Sequence, residues 1–93
     1  MKFLTQTIQN IINQGHTIAV GDDEGNIQKR TDSAYAIVSA INAVEECYLR
    51  IWKGNVKGEG HVGYIYISDN EVVDFTDKPE IELLVNLFDW EVM

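Results

Sequence analysis

Proline occurs once in this chain, at position 79, and cysteine once, at position 47. One cysteine excludes an internal disulfide. With no signal-peptide pattern in MKFLTQTIQNIINQ, it points to a reducing, cytoplasmic setting. Long apolar runs are missing too, and nothing approaches the ~20 residues of a membrane-spanning helix. Scarce proline beside 45% apolar residues argues against a disordered or low-complexity chain. Bases are the most consequential shortage: fifteen Asp and Glu face seven Lys and Arg, a formal net charge of −8. No basic stripe is present to neutralise phosphates, so direct nucleic-acid binding is not expected, and an anionic membrane surface would repel the chain. The 93 residues form one domain, 1–93, with no room for a second core.

What is present reads as an α+β chain. The stretch 31–46, TDSAYAIVSAINAVEE, organises the rest. Ala34, Ile37, Val38, Ile41, Val44 and Tyr48 recur at helical spacing, Thr31, Asp32 and Ser33 are all N-cap types, and no Pro or Gly interrupts the run. It is the expected buried helix. A first helix is expected from Phe3 to Gln14, with Leu4, Ile8, Ile11 and Ile12 on one face, neutral polar residues on the other, and Gly15 as its stop. HTIAV (16–20) and IQKR (27–30) read as strands around the turn GDDEGN. CYLRIWK (47–53), HVGYIYI (61–67) and EVVDF (71–75) read as a three-stranded meander. The two alternating sets of CYLRIWK are both bulky, so that strand is covered on one face and partly shielded on the other. GNVKGEG (54–60) is a flexible glycine-rich connection, and Ser68-Asp69-Asn70-Glu71 a tight hairpin. Asp77 and Glu80 have capping-box spacing around Pro79, predicting a last helix from Lys78 to Trp90. The order α-ββ-α-βββ-α assembles as three helices on a mainly antiparallel sheet.

Motifs for chemistry fail one by one. Asp22, Glu24 and Asn26 alternate like a calcium loop, but Ile27 stands where its glycine belongs and Ser33 where its bidentate glutamate belongs. The cluster is an exposed turn. Cys47 with His16 or His61 is the only conceivable nucleophile and base, and Cys47 follows a helix C-terminus, which disfavours a thiolate. The histidines have no ligand-spaced partners for zinc. GNVKGEG leads into a strand and not into the helix that a phosphate loop needs. No catalytic residue, metal ligand or cofactor is expected, and the chain is read as a non-enzyme.

The distribution of acids remains. Residues 1–58 carry six acids and six bases, whereas residues 59–93 carry nine acids and only Lys78. Carboxylates two apart on a strand or three to four apart on a helix lie at spacings that can imitate a row of phosphates. Asp69, Glu71, Asp74, Asp77, Glu80, Glu82, Asp89 and Glu91 are the expected partner-binding residues. In length, acidity and α/β layout the chain resembles the small acidic DNA-mimic proteins with which bacteriophages block host restriction, most of all the T-even phage Arn family. That resemblance implies a non-enzymatic anti-restriction inhibitor, working in the host cytoplasm as a dimer and competing with DNA for a basic DNA-binding or DNA-cleaving protein. Lys29, Arg30, Arg50, Lys53 and Lys57 depart from a uniformly acidic mimic. The alternative is an immunity or antitoxin protein covering a nuclease toxin. The last helix carries a second apolar stripe, Leu83, Leu87 and Trp90, the expected homodimer contact.

Overall fold

The structure, a computed structural model, describes residues 2–69 and 71–86, with side chains from residue 5 onward. In chain order the elements are α1 (Lys2–Asn13), β1 (His16–Asp22), β2 (Gly25–Thr31), α2 (Ala34–Asn42), β3 (Glu46–Lys53), β4 (His61–Ser68), β5 (Glu71–Phe75) and α3 (Pro79–Val85). This is the expected α+β order. The five strands form one sheet in the order β2-β1-β3-β4-β5, and every pairing is antiparallel.

Strand alternation decides which face meets the helices. Ile18 and Val20 of β1, Cys47, Leu49 and Ile51 of β3, and Ile65 and Ile67 of β4 are buried in one cluster with Ile8 and Ile11 of α1, Ile37 and Ile41 of α2, and Ile81 and Leu84 of α3. The helices therefore form a layer on one side: α1 and α2 over β1 and β2, α3 over β4 and β5. Gly63 of β4 lets α3 approach, because a Cβ there would stand 2.9 Å from Ile81 Cγ1 and 2.8 Å from Thr76 Oγ1.

Local chemistry sets the element ends. Gly15 stops α1 with φ 92°, as a C′ glycine does. Ser33 caps α2, its hydroxyl accepting from Ala36 N at 3.2 Å. Asp69 takes the positive φ expected in the β4–β5 turn, 53°. Two boundaries differ from expectation. The central helix ends at Asn42, short of Glu46, and Tyr48 falls in β3, as the strand reading of CYLRIWK expects, because pairing with β4 claims the chain from Glu46 and pairing with β1 from Tyr48. The Asp77–Glu80 capping box does not form: Lys78 is the N-cap, with φ −141° and ψ 143° and no side-chain cap bond. A residue before proline is pushed to extended geometry, so Pro79 moves the helix start one position on. The expected extension of the last helix to Trp90 lies outside the described residues.

Candidate protein-interaction surface

The side chains opposite the helical layer are not the polar set usual for an open sheet face. Across β3 and β4 the register sets Tyr48 opposite Tyr66, Arg50 opposite Tyr64 and Trp52 opposite His61. The Tyr48 and Tyr66 rings lie 4.6 Å apart, tilted by 31°, and Tyr64 meets Tyr48 edge-on at 5.6 Å. Trp52 meets His61 edge-on at 5.5 Å and carries the Arg30 guanidinium 4.9 Å from its ring centroid. Thr17, Ala19 and Gly21 of β1 face the same way and are buried beneath these larger neighbours.

Carboxylates stand at the rims of the tyrosines. The Tyr64 hydroxyl donates to Asp74 Oδ2 at 3.2 Å, and the Asp74 charge, ahead of desolvation, raises its pKa. Tyr66 is pushed up to about 12, first by its hydrogen bond to Glu46. A small pocket of about 70 Å³ opens where Asp22, Asp23, Glu46, Cys47, Tyr48 and Tyr66 meet.

That pocket belongs to an acidic end of the molecule. The β1–β2 turn, the α2–β3 connection and the β4–β5 turn all fall at the same end of the antiparallel sheet. They bring together Asp22, Asp23, Glu24, Glu45, Glu46, Asp69 and Glu71, and none of these turns carries a Lys or Arg. Asp69 N donates to the Glu45 carbonyl at 2.9 Å, fastening two of the turns to each other. Asp22 Oδ1 accepts from Glu24 N at 2.8 Å, which shapes the third. The opposite end holds Lys29, Arg30, Lys53 and Lys57 alongside Asp32 and Glu59. A broad cleft of about 450 Å³ is lined there by Lys29, Arg30, Asp32 and Lys57, with Thr17, Thr31 and Asn55.

The structure separates the expected partner-binding residues. Asp69, Glu71, Asp74, Asp77, Glu80 and Glu82 are all exposed. Glu71 and Asp74 take open-face positions on β5, opposite Ser68 and Tyr66. Glu80 and Glu82 sit on α3, in the helical layer, and Asp77 in the bend before it. Asp69 joins the acidic end. Asp89 and Glu91 lie outside the described residues, as do Leu87 and Trp90 of the dimer contact; Leu83 is 68% exposed. Sequence reasoning missed Glu45, Glu46 and the 22–24 turn as companions of Asp69, and missed the tyrosines altogether. Their signal was the second bulky set in CYLRIWK and in HVGYIYI.

The other candidate chemistry finds little support. Cys47 is buried in the core, and its thiol is pushed up to about 11, by burial first and by Asp22 second. His16 donates through Nδ1 to the Ile11 carbonyl at 3.2 Å, closing the α1–β1 corner. Among the described residues no group of three His, Cys, Asp or Glu side chains is placed to hold a metal ion, and no helix is long and apolar enough to cross a membrane. No protein-family model matches the chain, and neither the curated proteins nor the solved structures compared with it gave a significant match.

Proposed function

We propose that this is a non-enzymatic acidic binding protein that occupies the basic DNA-binding site of another protein, as a DNA mimic does. The observation that supports this reading is the acidic end: seven named carboxylates from three separate turns, with no base among them. Self-repulsion at such an end costs folding stability, and a complementary positive surface relieves it. A homodimer through Leu83 and its stripe belongs to the same proposal.

The test neutralises the end without disturbing its framework. Asp22 is left alone because it bonds Glu24 N, and Glu46 because it lines the tyrosine pocket. A combined Glu24→Gln, Glu45→Gln, Asp69→Asn, Glu71→Gln variant removes four charges at nearly constant shape, and Asn tolerates the positive φ at 69. The immobilised wild-type protein is expected to capture basic DNA-handling proteins from a bacterial lysate and to release them to duplex DNA or to raised salt. The folded variant is expected to capture at least tenfold less. Capture that resists both DNA and neutralisation would leave the acidic end with solubility as its only role.

A further inference from the structure

The described helices all lie on one face of the sheet, which leaves the tyrosine cluster of the other face half-exposed. Aromatic side chains kept partly in water are characteristic of contact surfaces, where their area is used on binding. Here the rings are also packed on one another in advance, Tyr48 against Tyr66 at 4.6 Å and against Tyr64 at 5.6 Å. Ordering them on binding therefore costs little.

Charge complementarity selects the occupant. The rim is anionic on each side, with Asp22, Asp23 and Glu46 at one edge of the cluster and Asp74 at the other. The ring faces themselves carry the negative end of the aromatic quadrupole. Arg50, the next open-face residue of β3, bounds the cluster on the far side. An anionic or purely aliphatic group would leave these carboxylates unpaired. Ammonium satisfies the charge but is strongly hydrated and compact; guanidinium is planar, weakly hydrated, and stacks on rings while its N–H groups serve carboxylates. The molecule already contains one such stack, Arg30 on Trp52. We infer that the Tyr48–Tyr66 pocket receives an arginine side chain of the partner protein, its plane against the rings and its N–H groups shared among Glu46, Asp22 and Asp23. This inference rests on the acidic binding reading and adds the chemistry of the contact: arginine in preference to lysine.

The experiment titrates the ¹⁵N-labelled full chain with two synthetic nonapeptides of equal charge, one alternating Arg and Gly, the other Lys and Gly, at ~0.15 M salt where long-range attraction is screened. The Arg peptide is expected to bind about fivefold tighter, the scale of a stacked cation on partly exposed rings. Amide shifts should centre on residues 22–23, 46–48 and 66. A Tyr48→Leu, Tyr66→Leu variant should still bind both peptides but lose the preference. If that variant does not fold, ring-proton shifts of Tyr48 and Tyr66 in the unaltered protein, moved by the Arg peptide alone, give the same answer. Equal affinity for the two peptides overturns the inference and leaves the acidic reading standing; no binding of either overturns both. An Arg preference with shifts centred on α3, or a face occupied by a second copy of the chain, also overturns it.

Discussion

Cys47 shows how one buried position can tie stability to pH. Its thiol is desolvated and lies near Asp22, so the native state keeps the proton to about pH 11, whereas an ordinary thiol releases it near 9.0. Between those values the native state binds more protons than the unfolded state, so stability falls as pH rises through the window. The expected loss across the whole window is about 3 kcal/mol, at ~1.4 kcal/mol for each tenfold difference in proton affinity between the two states. Tyr66, raised to about 12, adds a loss of the same sign at higher pH. Urea midpoints at pH 8 and 10.5 should therefore drop more steeply in the wild type than in Cys47→Ala. Equal drops would mean that the thiol does not carry the effect. At neutral pH the native thiol should also resist alkylation, since only the thiolate reacts.

At the level of elements, the β3–β4 connection is held from outside itself. Arg30 donates through Nε to Thr17 Oγ1 at 2.7 Å, through Nη1 to the Val56 carbonyl and through Nη2 to the Gly54 carbonyl, both at 2.9 Å. Thr17 Oγ1 itself donates to the Gly54 carbonyl, and Gly54 N to the Gly15 carbonyl at 2.6 Å. GNVKGEG is thus a clamped loop and not a free one, although its glycines alone read as flexible. Arg30→Ala should lower stability by about 1–2 kcal/mol, discounted for the exposure of two of the three bonds. It should also speed hydrogen exchange at residues 54–60. Arg30→Lys should recover little, because one ammonium cannot replace a fork reaching three acceptors. Exchange in this loop unchanged by Arg30→Ala would refute the clamp.

Helix and strand periods are local, so α1, α2 and all five strands could be read from spacing and turn residues. The start of α3 was misplaced because two local signals competed, the Asp77–Glu80 spacing and the geometry that Pro79 imposes on Lys78, and the second won. The partners of Arg30 were not legible, since Gly54 and Val56 are far from it in the chain.

For the whole molecule, the sequence placed its net charge in the last third, whereas the fold places it at one end of the sheet. Asp22, Asp23 and Glu24 come from a half that is neutral in sum, and only the strand order sets them beside Glu45, Glu46 and Asp69. Site geometry of this kind depends on which turns share an end, and no local pattern encodes that. The exposure of Leu83 bears on assembly at the same scale. Sedimentation of the wild type should give a homodimer at micromolar concentration, and Leu83→Lys should shift it toward the 10.5 kDa chain. A wild type that sediments as the single chain throughout would remove the dimer from the proposal.

The opposed ends also give the molecule an electrostatic length. β3 has eight residues, so it separates the acidic turns from Lys53 and Lys57 by about 25 Å. At ~0.15 M salt the Debye length is about 8 Å, and each end is invisible to whatever approaches the other. A partner at the carboxylates then meets a strongly anionic body, and the bases neither help nor hinder it. At ~0.01 M salt the Debye length grows to about 30 Å, longer than the strand, and the two ends are felt together as one body of net charge −8. Copies then repel one another as whole molecules. Assembly through the apolar stripe is therefore to be sought at physiological ionic strength, where that repulsion is screened.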